Sequence, residues 1–453
     1  MSLRILRLEL RRSAAPFAAL AAAAAAALAV ATYGGSASVL VGDGRSQLLV
    51  LIPVLLGLGA WQARRDRRSR TDELLAATPR PSGVRRTTLA AALGIGAALG
   101  FGVPLIAAMI HAWLTGVYVP AWMVPALVAT LVHPIAAVWL GLAVGRLMPW
   151  VVTPPLLVVG GFLGLVTLTV FTDPEGDADG RYPSAWLLAP GSSEGINAFE
   201  RLTPPVLTAQ VVWAVALAAA SLLLFVPTRH LRGLAAVPIA AGLGGTLALL
   251  PPHLSAGVAL DDGAIEEVCT SDAPRVCARR GAPLLLPYLV EPGREVLAVL
   301  RERLPQAPAR VVAIYYGNDS QPGLPAPDPS VLHAEVYTDE AGRIEMTRDE
   351  LTWTLLMGAG TLACPDVAPT EWERYATARV VAAAWLLGER PYAPESLDED
   401  LGWVPPASVT HPVYDALRSL PRDEQRTRVA ALREAELGCA EGDRLGLLLG
   451  DGA

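Results

Sequence analysis

The chain has 453 residues, of which 53% are hydrophobic and only 17% are charged, and its formal net charge at pH 7 is −7. All 36 basic residues are Arg, so the lysines required by a Walker A loop and by a Schiff-base enzyme are both missing. This composition excludes a standard P-loop ATPase and a PLP-dependent enzyme. The apolar fraction is also too high for an ordinary soluble domain.

Charge is distributed unevenly along the chain. Residues 1–252 contain 18 Arg and 11 acidic residues, a net charge of +7, whereas residues 253–453 contain 18 Arg and 32 acidic residues, a net charge of −14. Only the second part has the charged fraction of a soluble domain. The composition predicts an interfacial segment at 1–13, a membrane domain at 14–252 and a separate domain at 253–453.

The first twelve residues alternate apolar and charged side chains with a helical period. Leu3, Leu6 and Leu10 fall on one face, and arginines fall on another. This pattern predicts an amphipathic helix in the inner membrane interface, with Glu9, Arg11 and Arg12 at the lipid head groups. The alternative is a charge cluster that only orients the first span.

Stretches without Asp, Glu or Arg are long enough to cross a bilayer, which takes about 20 apolar residues. They predict seven spans, at about 14–33, 46–62, 87–113, 121–145, 150–171, 205–227 and 233–251. The flanks on one side of the predicted spans, which include the N-terminus, are rich in arginine, whereas the flanks on the other side carry only Arg45, Arg181 and Arg201. The positive-inside rule therefore predicts a cytoplasmic N-terminus. Seven spans then place residues 253–453 outside. A cleaved signal peptide is the alternative for the first span, although its apolar stretch is long for one.

The cytoplasmic loop at 63–86 combines arginines with a short helical signal. Thr71 is suited to cap a helix, and Asp72 and Glu73 in its first turn would be stabilised by the helix dipole. Leu74, Leu75 and Pro79 follow as an apolar surface. Such a helix fits docking to a soluble partner, and the alternative is a basic loop resting on anionic lipid.

The sequence Thr71-Asp-Glu-Leu-Leu-Ala-Ala-Thr-Pro79 after an arginine-rich run resembles the first intracellular loop of ABC-2-type permeases, the membrane subunits of ABC exporters. The run 8–13 similarly resembles the elbow helix of that family, and the resemblance covers residues 1–230, the first six spans. It implies that a coupling helix docks into a groove of a separate ATP-binding subunit. The residues given this role are Asp72, Glu73, Leu74, Leu75, Thr78 and Pro79.

The resemblance also implies a permease dimer, either homo- or heteromeric, with ATP and Mg on the partner subunit and no cofactor in this chain. The seventh span and the exported residues depart from the six-span pattern of the family. Within the predicted spans, His111 and His133 are the only ionisable candidates. We expect each of them to be a packing residue and not a proton relay. Ion-coupled secondary transport is therefore disfavoured.

All four cysteines, Cys269, Cys277, Cys364 and Cys439, lie in the exported part, where disulfides persist. Three pairings are possible; local closure favours Cys269–Cys277 and leaves Cys364–Cys439. The alternative is buried free thiols. A zinc site is disfavoured because no C-x-x-C or Cys/His cluster is present.

The exported part has the pattern of an α+β domain. Strands are expected at 284–290, 310–316 and 331–338, and helices at 291–304, 347–361, 370–387, 411–420 and 422–437. The tryptophans are expected to fill a core, with a ligand cleft as the alternative for one of them: Trp353, Trp372, Trp385 and Trp403.

The exported part carries no strong enzymatic signature. Its histidines, His253, His333 and His411, are far apart, and neither H-E-x-x-H nor G-x-S-x-G occurs. Residue types for a Ser–His–Asp triad are nevertheless present. The acidic run 395–400 is interpreted as a solvated loop, with calcium binding as the alternative.

The sequence therefore predicts a polytopic α-helical membrane domain of six ABC-2-like spans plus a seventh, followed by an α+β extracytoplasmic domain. The expected function is a permease subunit of an ABC exporter in the plasma membrane, with no enzymatic activity of its own. The alternative is a membrane-anchored extracytoplasmic receptor or assembly factor. The expected partners are the ATPase, a second permease and the lipid bilayer, with no nucleic acid.

Overall fold

A computed structural model of the chain describes residues 3–32, 35–68, 82–170, 198–224, 232–251, 257–315, 328–336, 344, 346–364, 367–368, 370–391, 405–440 and 442–450. The chain divides into a helical unit, Met1–Ile265, and a C-terminal unit, Glu266–Ala453. Composition put the boundary at residue 252. The structure puts it 13 residues later because a short strand at 258–260 pairs within the helical unit.

The helical unit is built from apolar helices. They are α1 Leu3–Arg12, α2 Ala15–Ala31, α3 Ala37–Ser46, α4 Leu48–Arg68, α5 Ser82–Leu114, α6 Met123–Leu147, α7 Thr153–Val170, α8 Pro204–Leu224 and α9 Ala236–Leu249. Each of the seven predicted apolar segments overlaps one of these helices. Helix α3 was not predicted, because its Asp43 and Arg45 interrupt the apolar run.

Three described helices, α5, α6 and α8, are long and apolar enough to cross a membrane. The pairs α1–α2, bent by 69°, and α3–α4, bent by 42°, raise the number to five if each pair forms one span. Helices α7 and α9 are apolar but shorter. The 14 residues of α9 extend about 21 Å, less than the roughly 30 Å of a bilayer core. The structure thus supports three to five crossings, and a count of seven stays a prediction.

Glycines allow the apolar helices to approach closely. A Cβ at Gly141 of α6 would overlap the carbonyl of Leu56 in α4, and one at Gly145 would overlap Ala60 one turn further along. Because both contacts advance by four residues, α4 and α6 run parallel. Close approach through small residues is the usual way for apolar helices to pack where burial in lipid provides no driving force.

A small antiparallel pair closes one end of the helical unit. Strand β1, Glu200–Leu202, pairs with β2, Val258–Leu260. The carboxylate of Asp261 accepts hydrogen bonds from the Tyr118 hydroxyl at 3.2 Å and from Trp122 Nε1 at 3.0 Å. Asp261 therefore ties the segment before α6 to the end of β2.

The C-terminal unit contains a four-stranded sheet and several helices. Its elements are β3 Glu267–Cys269, β4 Arg275–Arg279, α10 Leu285–Arg303, β5 Arg310–Tyr315, β6 Val331–Val336, α11 Arg348–Leu356, α12 Trp372–Leu387, α13 Ala407–Ser419, α14 Arg422–Leu437 and α15 Arg444–Leu449. The strand order is β3-β4-β5-β6, with β3 antiparallel to β4 and the remaining pairs parallel. Helix α10 is the crossover that a parallel β4–β5 pair requires.

The strands predicted at 310–316 and 331–338 are confirmed as β5 and β6, whereas the strand predicted at 284–290 is wrong. That segment is the beginning of α10. Leu285, Leu289, Val296 and Leu300 are buried along this helix, so the apolar run belongs to a helical stripe. A short apolar run cannot be assigned to strand or helix by its periodicity alone.

Helix α10 packs against the sheet at the centre of the core. Val276, Val311 and Leu332 contribute one buried residue from each parallel strand. Trp353 and Trp385 are buried there as expected, and Trp385 donates its indole N–H to Gln425 Oε1 at 2.8 Å. Trp372 is half-buried, and residue 403 lies outside the described residues.

Candidate functional site

The predicted coupling residues, Asp72, Glu73, Leu74, Leu75, Thr78 and Pro79, lie outside the described residues. The structure does describe the two helices that flank this segment. Helix α4 continues to Arg68, and α5 begins at Ser82. The segment therefore joins the end of one apolar helix to the start of the next.

The expected amphipathic helix at the N-terminus is α1. Leu6 and Leu10 pack against the core of the helical unit, while Arg11 and Arg12 are exposed. Glu9 is half-buried, and its carbonyl accepts a hydrogen bond from the backbone N–H of residue 13. The chain then turns by 69° into α2. This division into an apolar and a charged face suits a helix lying along a membrane surface.

The backbone at the start of α2 is fixed by a side chain from α4. The N–H of Ala14 donates to Gln62 Oε1 over 2.9 Å, and both residues are buried. This bond satisfies one of the N–H groups that a helix start leaves without an intrahelical partner. It also places the turn between α1 and α2 beside the last turns of α4.

The most unusual polar cluster of the helical unit comprises Arg45, Thr130, His133 and Gln210, here called the Arg45 cluster. Arg45 has only 1% of its surface exposed. It donates from Nη2 to Gln210 Oε1 at 2.7 Å and from Nη1 to the Thr130 hydroxyl at 3.4 Å. The sequence predicts Arg45 outside the spans, on a flank of the second one, whereas the structure buries it among α3, α6 and α8.

His133 lies one turn after Thr130 on α6 and is 6% exposed. Its Nδ1 is 2.7 Å from the carbonyl oxygen of Ala129, so Nδ1 carries the proton that this bond needs. Nε2 is then the acceptor of a neutral ring, and it has no hydrogen-bond partner among the described residues. His111, the other predicted candidate, is exposed in the last turn of α5.

The C-terminal unit has two disulfides, Cys269–Cys277 and Cys364–Cys439. This is the pairing that local closure favoured. The first bond joins paired residues of β3 and β4, and the second links the segment after α11 to the residue that follows Gly438. Disulfides indicate an oxidising compartment, and the apolar helices of the other unit indicate membrane insertion.

A buried ionic network surrounds the second disulfide. Arg379 and Arg444 both bind the carboxylate of Glu436, at 2.6 and 2.9 Å. The hydroxyl of Tyr375 donates to Glu436 at 2.9 Å and accepts the backbone N–H of Cys364 at 2.7 Å. Burial raises the pKa of Tyr375, so this hydroxyl stays protonated at neutral pH. Every described member of the network is satisfied by another, which is typical of a structural core.

Another buried arginine, Arg433, supports a loop of left-handed backbone. Gly358, Ala359 and Gly360 all have positive φ, a conformation that a residue with a Cβ, such as Ala359, rarely adopts. Arg433 donates to the carbonyls of Ala359 and Gly360 at 2.8 and 2.7 Å. Burial lowers the pKa of Arg433 to about 10, so it remains charged at neutral pH.

A surface groove of about 480 Å³ lies at the amino ends of the parallel strands. It is lined by Arg275, Arg301 and Arg310, together with Pro274 and Ser330. Arg310 also pairs with the carboxylate of Glu267 at 3.2 Å, which offsets part of the positive charge. Three guanidinium groups in an otherwise acidic unit suit an anionic ligand.

The described histidines of the C-terminal unit, His333 and His411, lie in β6 and α13. His333 in β6 is half-buried, and burial lowers its pKa. His411 Nε2 lies 3.2 Å from the carbonyl of Pro391, while residues 253 and 395–400 are outside the described ranges. Glu267, Cys269 and Cys277 have ligand atoms within 4.8 Å of one another, but the disulfide occupies both sulfurs.

In comparisons with known proteins, no protein-family model, no curated protein and no solved structure matches this chain.

Proposed function

We propose that this protein is the membrane-spanning permease subunit of an ABC exporter and is driven by a separate ATP-binding subunit. The observation that carries the proposal is the arrangement of α1, α2 and α4. An amphipathic helix enters the bundle through a 69° turn, and the Ala14–Gln62 hydrogen bond holds that turn beside the end of α4. The N-terminal helix and the last turns of α4 therefore lie at the same end of the bundle, and the predicted docking segment follows α4 in the sequence.

The arginines support the same assignment of this end to the cytoplasm. Arg64 near the end of α4 donates to the carbonyl of Val151, just before α7, at 3.4 Å. Arg86 lies near the start of α5, and Arg146 near the end of α6. Arginine on the short connections of one side is the signal of a cytoplasmic face. The C-terminal unit, with its disulfides, would then be extracellular.

In this proposal the partner subunit holds ATP and Mg, and two permease chains pair to form the complete transporter. The chain has no lysine for a phosphate-binding loop of its own. Docking would use the acidic first turn and apolar tip of the segment 71–79. The membrane helices would transmit the movement of the ATPase to the transported substrate.

Co-purification tests the proposal directly. The tagged wild-type chain, solubilised in mild detergent, is expected to retain an ATP-binding subunit, and the double variant Glu73→Arg/Leu74→Asp is expected to lose it. The matched control is Glu389→Arg/Leu447→Asp, which makes the same changes at exposed positions of the C-terminal unit. The control variant is expected to retain the ATP-binding subunit. The proposal is contradicted if Glu73→Arg/Leu74→Asp retains that subunit as well, or if the wild-type chain is isolated without any ATPase.

The arginine-lined groove favours a second candidate, a membrane-anchored extracytoplasmic receptor. In that case the groove around Arg275 and Arg301 would bind an anionic ligand, and the helical unit would act as an anchor. Isothermal titration of the full chain with inorganic phosphate and with citrate distinguishes the two functions when it is combined with the co-purification result. Ligand binding without a bound ATPase favours the receptor.

A further inference from the structure

We propose that the Arg45 cluster binds the anionic, hydroxyl-bearing head group of a membrane amphiphile, with a phosphodiester as the charged group. Arg45 supplies the positive charge, and His133 supplies a hydrogen-bond acceptor. Thr130 and Gln210 hold the guanidinium in position. This site is independent of whether the chain docks an ATPase.

The charge of Arg45 is the first argument. Among the described residues, no carboxylate forms an ion pair with its guanidinium, whose partners are an amide oxygen and a hydroxyl. Burying a charge without a counter-ion costs several kcal/mol even after relaxation. An ionisable side chain inside a membrane domain is therefore expected to have a function. An anionic ligand would provide the missing counter-charge.

Two unpartnered atoms define what the ligand must offer. Nε of Arg45 is a donor and Nε2 of His133 is an acceptor. Neither atom has a hydrogen-bond partner among the described residues. A buried polar atom without a hydrogen bond costs about 1–3 kcal/mol. A ligand that satisfies both atoms needs an anionic oxygen for Arg45 and a hydroxyl group for His133. A phosphodiester that carries a glycerol or another polyol has both.

The surroundings of the cluster favour an amphiphile over a soluble anion. Apolar residues of α3, α6 and α8 form one buried cluster that includes Val41, Ala126 and Leu207. Each of these three lies one helical turn before a member of the Arg45 cluster. Thr130 lies seven residues after the start of α6, about 10 Å along the helix axis. The head group would thus be held below the end of the bundle, in contact with residues that suit acyl chains.

The helix pair that carries Arg45 is interrupted close to this residue, between α3 and α4. Arg45 is in the last turn of α3, and the chain bends by 42° between α3 and α4. Interrupted helices line the substrate sites of many transporters. In the present conformation the cluster is closed, and the break beside Gln47 provides a hinge at which α3 can move to admit the ligand.

Native mass spectrometry of the delipidated full chain in detergent tests the site. The first probe is dioleoyl phosphatidylglycerol, whose anionic head group carries hydroxyl groups. Phosphatidylethanol has the same charge but no head-group hydroxyl, and phosphatidylcholine has no net charge. The wild-type chain is expected to bind phosphatidylglycerol most tightly. Soluble glycerol 3-phosphate is the fourth probe, and it is expected to compete weakly; strong competition overturns the assignment to an amphiphile.

Two variants separate the contributions to binding. Arg45→Gln is expected to bind phosphatidylglycerol about tenfold more weakly, since a charge-assisted bond is lost. His133→Phe is expected to keep the binding of both anionic lipids and to lose the preference between them. Arg418→Gln, at an exposed position of the C-terminal unit outside the arginine-lined groove, is the charge-matched control and is expected to bind as the wild-type chain does.

The proposal is overturned if the wild-type chain does not select phosphatidylglycerol over phosphatidylcholine, a result that requires no variant to fold. It is also overturned if Arg45→Gln binds phosphatidylglycerol as tightly as the wild-type chain. Because the chain is tested without an ATPase, either outcome leaves the proposed permease function to be decided by co-purification.

Discussion

Arg379 and Glu436 form an ion pair of 2.6 Å inside the C-terminal unit, where the Glu436 side chain has no exposed surface. Arg444 binds the other carboxylate oxygen at 2.9 Å. One carboxylate thus compensates two buried guanidinium groups. The arrangement links α12, α14 and α15, so the packing of these three helices depends on a single side chain.

Glu436→Gln is therefore expected to destabilise the C-terminal unit by about 3–5 kcal/mol, because it leaves two buried positive charges without a counter-charge. Thermal unfolding of the purified chain in detergent, followed by circular dichroism, measures the effect. Glu434→Gln lies on the exposed side of the same helix and serves as the control. Equal melting temperatures for the two variants would contradict this account.

The two disulfides are expected to contribute unequally to stability. Cys364–Cys439 closes a loop with a sequence separation of 75, and Cys269–Cys277 one with a separation of 8. The chain-entropy model assigns them about 4.5 and about 2.5 kcal/mol. Replacing Cys364 and Cys439 by Ala should lower the melting temperature more than replacing the other pair. The reverse order would show that the short bond stabilises by another route.

Close packing of α4 against α6 is expected to be sensitive at Gly141. The variant Gly141→Ala places a methyl group against the backbone of Leu56, and overpacking of this kind costs about 1–3 kcal/mol. Size-exclusion chromatography after a series of heat steps measures the loss of folded protein. Gly160→Ala in α7 is the control, because a Cβ there meets no atom within 4 Å. Equal heat tolerance of the two variants would contradict the close approach.

Asp443 gives an expected pH dependence. Hydrogen bonds from Arg374 lower the pKa of this carboxyl below its ordinary value of 3.8, and it also accepts the backbone N–H of Leu445 at the start of α15. A lowered pKa in the folded state means that the stabilisation is present above the unfolded value and is lost as the pH falls through the folded one. The loss is thus expected only below pH 3.8.

The difference in melting temperature between the wild-type chain and Asp443→Asn checks this expectation. It should be constant from pH 7 to pH 5 and should shrink only in strong acid. A difference that already disappears near pH 6 would mean that another group is responsible.

Features that depend only on residues close together in the sequence could be predicted from the sequence. The amphipathic face of α1, the apolar helices and strands β5 and β6 follow from hydrophobic period and composition, which each segment carries by itself. The disulfide Cys269–Cys277 could be favoured because the cysteines lie in the part predicted to be exported and because only eight positions separate these two. The charge difference between the two parts of the chain likewise indicated a membrane part and a soluble part.

The candidate site depended on contacts between distant segments. Arg45, Thr130 and Gln210 are separated by 85 and 80 positions, and no local pattern distinguishes a buried arginine at the end of an apolar run from an exposed one. The start of α10 was misassigned for a related reason, since only packing against the sheet decides between a strand and a helix for a short apolar run. Tertiary structure decides these cases because burial and counter-charge are properties of the neighbours in space, whereas periodicity and composition are properties of the segment itself.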